Sequence, residues 1–196
     1  MRILNLLKFS LVLFAGLSGQ EVLAHGFHYN LDVSSQLQED STGKLTGVRI
    51  NWFYDTEVSK SLLAGEDMSA DKQAQTLQGI AQRAIADLGT LHYFTNLSLG
   101  GQTLATLPVT DYHLDLLPDG HLNLNFVLPL KVPQDMTGKR LDISMSDSSG
   151  SAILIFENAS RISMGEKLAA ACAVTLEEKA QYADAEAPQI VHLQCR

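Results

Sequence analysis

Cysteine is scarce here, at two residues in 196, and aromatic side chains make up only 7% of the chain. Two cysteines without a partner set at finger or ribbon spacing do not build a structural zinc site. Basic residues are also few, 14 Lys and Arg against 22 Asp and Glu, for a formal charge of −8. That balance argues against nucleic acid and against anionic lipid as partners, and it suits a protein that handles cations. No lipid anchor is expected. After the first residues no apolar run approaches the roughly 20 residues a membrane span needs. A Gly-x-Ser-x-Gly elbow, a phosphate-cradling glycine loop and a Cys/His pair at a familiar spacing are all missing, so no nucleophilic enzyme is expected.

The opening residues read as a cleaved signal peptide. Arg2 and Lys8 supply a positive start, Phe9–Leu17 is a short uncharged apolar run, and Val22 and Ala24 are small residues at the cleavage positions. Cleavage after Ala24 would leave 25–196 as one periplasmic domain beginning at His25. The lost segment carries Arg2, Lys8 and Glu21, so the remainder is one unit more acidic. In an oxidising compartment Cys172 and Cys195 are expected to form a disulfide that pins the C-terminal tail. Closing that loop is worth roughly 3 kcal/mol of chain entropy. The alternative, two thiolate metal ligands, lacks structural-zinc spacing. The acidic Glu177–Glu186 stretch reads as a loop.

Strand periodicity dominates the remainder. Tyr29, Leu31, Val33 and Leu37 alternate with polar residues, and Val48, Ile50, Trp52 and Tyr54 alternate beyond the Glu39–Gly43 turn. The period then changes. Thr56–Ala64 predicts a short helix ending near Gly65, and Leu77, Ile80, Ala81, Ala84, Ile85 and Leu88 predict a longer one, capped by Ser69 and stopped by Gly89. Strands resume over His92–Leu99, Tyr112–Leu117, His121–Leu128, Leu141–Met145 and Ala152–Phe156. The expected architecture is α+β: an antiparallel β-rich single domain with two helices inserted after the second strand.

The first hairpin brings candidate metal ligands together. Leu31 opposite Trp52 and Val33 opposite Ile50 centre the turn between Ser41 and Thr42 and set His28 opposite Asp55, with β-carbons roughly 5 Å apart. A slip of two residues would keep the faces and set Asn30 opposite Asp55. Imidazole, carboxylate and the terminal amine of His25 suit a divalent transition metal, the amine because its pKa is near 8. The bland reading of His28 is a surface histidine hydrogen-bonded to a carboxylate. His113 and His121 read as solvated, His192 as structural, and His92 as a satisfied core histidine.

A further signal is the order of several short motifs. Leu45-Thr46-Gly47-Val48-Arg49-Ile50-Asn51-Trp52 is followed by Asp55 and Ser59, then by Gly65-Glu66-Asp67 before a helix, by His92-Tyr93-Phe94-Thr95 and by Leu122–Pro129. In this order the chain resembles the ZevA-like family of Gram-negative periplasmic proteins, from about His25 to the Cys172 region. The resemblance implies a partner, an inner-membrane permease similar to nickel/cobalt transporters, and a role in zinc acquisition. It implies zinc as the bound metal, with nickel, cobalt and copper as alternatives. The family strand begins His-Pro-His with Asp four residues on; aligning Asp32 places its second histidine at His28 and its first at Gly26, beside His25. Trp52 and Asp55 match a Trp-x-x-Asp pattern. Asp147-Ser148-Ser149-Gly150 keeps the aspartate of an Asp-Pro-Ser/Thr-Tyr motif but lacks its proline and aromatic. The implied metal set is His25, His28, Asp55 and Asp147. Two other readings compete: a copper oxidoreductase chelating through an N-terminal histidine, against which the scarcity of aromatics counts, and a periplasmic scaffold or assembly protein that binds no metal.

Overall fold

A computed structural model describes residues 29–183 and 185–196. The leader, His25 and His28 lie outside the described residues. The chain begins with β1 (Tyr29–Glu39) and β2 (Leu45–Tyr54), then α1 (Thr56–Leu63) and α2 (Gln73–Thr90), as the change of period implies. Next come β3 (Thr95–Leu99), β4 (Gln102–Thr103), β5 (Tyr112–Leu116), β6 (Leu122–Gln134), β7 (Arg140–Met145) and β8 (Ala152–Ile155). The chain closes with β9 (Ile162–Met164), α3 (Glu166–Ala171), β10 (Cys172–Glu178) and β11 (Gln189–Cys195).

The strands form two sheets. One has the order β5-β6-β2-β1-β8, with β9 also on β1; the other runs β10-β11-β7-β3-β4. Pairing is antiparallel throughout except where β8 and β9 run parallel to β1. Inward residues of both sheets merge into one core that includes Leu31, Val33, Ile50, Trp52, Leu124, Phe126, Ile143 and Leu193. Trp52 stands edge-on to Phe126 at 5.2 Å and stacks on Phe94 at 5.9 Å. The α+β single-domain architecture is the expected one.

The hairpin register is the expected one slipped by two residues, the alternative that sets Asn30 rather than His28 in line with Asp55. Leu31 faces Tyr54 and Val33 faces Trp52. The cause is the turn. Asp40 Oδ1 accepts hydrogen bonds from Thr42 N–H, Thr42 Oγ1–H and Lys44 N–H at 2.8, 2.6 and 3.1 Å, while Gly43, at φ 87°, donates to the Asp40 carbonyl at 2.9 Å. This knot centres the loop near Thr42, and a bulge between Gln38 and Glu39 completes the slip. The faces survive because the slip is even. Gly47 is required at the next pairing, since a Cβ there would meet the Leu128 carbonyl oxygen at 2.8 Å.

α1 follows expectation, with Asp55 as its N-cap and Gly65 (φ 79°) just past its end. α2 buries Leu77, Ile80, Ala81, Ile85 and Leu88 as expected, but it starts at Gln73 rather than after Ser69. Ser69 is drawn into a turn, its N–H and Oγ–H both bound to Asp67 Oδ1. Nor does Gly89 end the helix. It is followed by Thr90, and the chain then turns through His92, Tyr93 and Phe94, all left-handed at φ 52°, 54° and 50°. Left-handed backbone costs about 1–2 kcal/mol per non-glycine residue. Packing offsets it: Tyr93 is buried and its hydroxyl accepts from Val109 N–H at 3.0 Å, while Phe94 stacks on Trp52. The strand expected from His92 therefore starts at Thr95, and His92 is exposed rather than in the core.

The Cys172–Cys195 disulfide is present, joining residues directly opposite in the β10–β11 pair. Glu177 and Glu178 belong to β10, so the acidic loop begins later than expected.

Candidate functional site

The start of β1, the end of β2, the start of β6 and the β7–β8 connection meet at one end of the molecule. Antiparallel pairing puts Asn123 of β6 opposite Phe53 of β2, and Tyr29 of β1 lies beside Ala152 of β8. A polar cavity of about 430 Å³ opens there, lined by Tyr29, Asn30, Asp32, Phe53, Tyr54, Asp55 and His121.

Asp55 is exposed and has two tasks. Its Oδ1 accepts the Val58 N–H at 2.8 Å, satisfying a donor at the open end of α1. Among the described residues its other oxygen has no hydrogen-bond partner, and the side chain borders the cavity. Asp32 is on the outward face of β1, opposite Phe53. His121 enters from the turn before β6. Its Nε2 is 2.8 Å from Thr56 Oγ1 and its Nδ1 is 3.3 Å from Asp119 Oδ2. This imidazole was expected to be solvated, but it is partly buried in the cavity wall. The signal that finds it is the long-range pairing of β6 with β2, which no local pattern contains.

Two tyrosines floor the cavity. Burial, and then the neighbouring Tyr29, push the Tyr54 phenol well above its ordinary pKa; burial, and then Asp147, raise that of Tyr29. Both therefore stay neutral at physiological pH.

Asp147 sits behind Tyr29, 4% exposed. Its Oδ1 accepts Ser149 N–H at 2.8 Å, its Oδ2 accepts Ala152 N–H at 3.0 Å, and Ser149 Oγ is 2.8 Å from each oxygen. The carboxylate organises the β7–β8 turn, and that turn in turn holds the start of β1 through Tyr29 N–H to the Ser151 carbonyl at 3.0 Å. Asp55 and His121 thus share the cavity wall, whereas Asp147 acts one layer behind it. His92 is exposed, next to Ser146 and Ser148. His113 is exposed near Asp115, at 3.3 Å. His192 lies in the other sheet.

Thr56, His121 and Asp119 line up hydroxyl, imidazole and carboxylate in the order of a hydrolytic relay. The carboxylate that would orient the imidazole is 62% exposed, unlike the buried orienting aspartate of such relays. Among the described residues no three His, Cys, Asp or Glu side chains converge as a metal site, and no helix is long and apolar enough to cross a membrane. What the cavity offers is an imidazole and carboxylates beside neutral phenols.

The protein family described as "Protein of unknown function (DUF1007)" matches residues 10–192. The chain belongs to the DUF1007 family. A comparison with curated proteins finds no match.

Proposed function

We propose that this DUF1007 protein is a periplasmic carrier of zinc, or of a similar divalent transition cation, that works with an inner-membrane metal permease and performs no chemistry on its cargo. The carrying observation is that Asp55 and His121 border one polar cavity whose wall includes Tyr29, the residue to which His28 is covalently joined. Histidine and carboxylate are ordinary zinc donors, with bonds of about 2.0–2.2 Å. His25 and a free amine at a processed terminus would lie three residues before His28 in the chain. Asp147, buried and engaged on both oxygens, serves in this reading by positioning Tyr29. The acidic charge, the leader-like opening and the disulfide suit a cation-handling protein in an oxidising compartment, and the resemblance to the ZevA-like family points to zinc and a permease.

Calorimetric titration of the processed protein with zinc tests this. Saturable binding near one equivalent is expected, weakened at least tenfold by His28→Ala. Absence of saturable binding, or binding indifferent to that substitution, overturns the assignment.

A further inference from the structure

Two cavities at this end of the molecule share a wall. Tyr29 and Tyr54 line the polar cavity on one side and an apolar cavity of about 270 Å³ on the other. The apolar cavity is closed by Val58 and Leu62 of α1 and by Ile80 and Ala84 of α2. The helix α1 therefore begins at one cavity and walls the other.

Its first turn is tied down by the two side chains that the cation reading uses. Asp55 Oδ1 holds the Val58 N–H at 2.8 Å, and His121 Nε2 is 2.8 Å from Thr56 Oγ1. A ring nitrogen engaged with a hydroxyl cannot coordinate a metal at the same time. The carboxylate faces a related conflict. At a helix N-terminus it is favoured by the positive end of the helix dipole, and a cation drawn to it is repelled by that same end. At eight residues α1 is also too short to hold its shape without such anchors.

We propose that cation binding and the capping of α1 compete: the cation takes Asp55 and His121 from the helix, whose first turn loosens and reshapes the apolar cavity wall. This rests on the cation reading above and adds how loading is signalled. Ser59 is the pivot. It is fully buried, its Oγ accepting Leu122 N–H at 2.9 Å and donating to the Tyr54 carbonyl at 3.3 Å, so its bonds go to the backbone and use neither cation ligand's side chain. Residues before Ser59 move and those after it stay. The loaded and empty forms then differ at α1, a surface difference that a protein receiving the cation can read.

Hydrogen exchange of the processed protein, with and without saturating zinc, tests the competition. Exchange of the Val58 amide, which Asp55 protects, is expected to quicken roughly fivefold, the equivalent of losing one N-cap, while amides of β10 and β11 keep their rates. Thr56→Val frees His121 without deleting a ligand, and calorimetry should then show zinc bound several-fold more tightly; Thr56→Ser, which keeps the hydroxyl, should behave as the parent. Saturable zinc binding with Val58 exchange unchanged or slowed overturns the competition and leaves the carrier reading standing, as does Thr56→Val binding zinc no better than the parent. No saturable binding overturns both.

Discussion

His121 and His192 are both histidines beside carboxylates, yet their surroundings differ in one decisive respect. On the outer face of the second sheet, His192 of β11 has Nδ1 2.7 Å from Asp142 of β7 and Nε2 2.8 Å from Glu177 of β10. Arg140 Nε adds a contact to Asp142 at 2.9 Å. Both ring nitrogens face carboxylates, so the imidazolium is fully satisfied; hydrogen bonds to Asp142 and then to Glu177 hold its pKa above the ordinary histidine value. His121 has a neutral hydroxyl on one nitrogen and an exposed carboxylate at 3.3 Å on the other, and it borders a cavity. Asp55 beside it is engaged through one oxygen only. The His192 imidazole, satisfied on both nitrogens, laces three strands together, whereas the His121–Asp55 cluster is half-satisfied, Asp55 Oδ2 being unbonded among the described residues at the cavity edge. Residue types alone do not distinguish the two clusters; the cavity bordered by His121 and Asp55 does.

The C-terminal hairpin is held at one end by the disulfide and further along by His192. The largest expected effect comes from Cys172→Ala with Cys195→Ala, which reopens a loop with a sequence separation of 23. Chain entropy sets the loss at about 3 kcal/mol, measured by urea unfolding. A loss under about 1 kcal/mol would mean that the strand pairing and His192 already hold the hairpin without the bridge.

His192 itself is expected to matter less, by about 1 kcal/mol for His192→Gln, and in a pH-dependent way. A histidine whose folded pKa is raised binds its proton more tightly when folded. Its contribution is complete below the unfolded value, near 6.5, and is lost as pH rises through the higher folded value. Urea midpoints of the parent should therefore fall across that window, and those of His192→Gln should fall less. Equal slopes would show that the two carboxylates do not act through this imidazole.

Much of this architecture is legible in the residue pattern. The period change after Tyr54 locates both helices, Asp55 stands where an N-cap belongs, and the cysteine pair forms its bridge. What escapes it depends on contacts distant in sequence or on a local knot. Hairpin register turns on the Asp40 side chain, which a binary pattern does not encode. The left-handed run His92–Phe94 is stabilised by Trp52 and Val109, both remote. β10 hides because it is an edge strand with only partial burial and two glutamates at its end. Of the candidate site, Asp55 was visible as a hairpin-end carboxylate; His121 was not, because it enters only through the β6–β2 pairing.

The smallest expected change in stability is also the one that separates the two clusters most cleanly. Asparagine caps helices about as well as aspartate, so Asp55→Asn should change the metal-free protein by no more than about 0.5 kcal/mol, chiefly through the lost charge at the helix dipole. Zinc affinity should nonetheless fall at least tenfold, because an amide is a far poorer ligand than a carboxylate for this cation. Asp142→Asn should show the opposite pattern: it removes a charge-assisted partner of His192, lowers stability by about 1 kcal/mol and leaves zinc binding unchanged. If Asp142→Asn weakened zinc binding while Asp55→Asn did not, the half-satisfied cluster would be the structural one and the saturated cluster the site. Measuring both variants by urea unfolding and calorimetry decides between open and closed groups on the same footing, since each removes one negative charge and almost no volume.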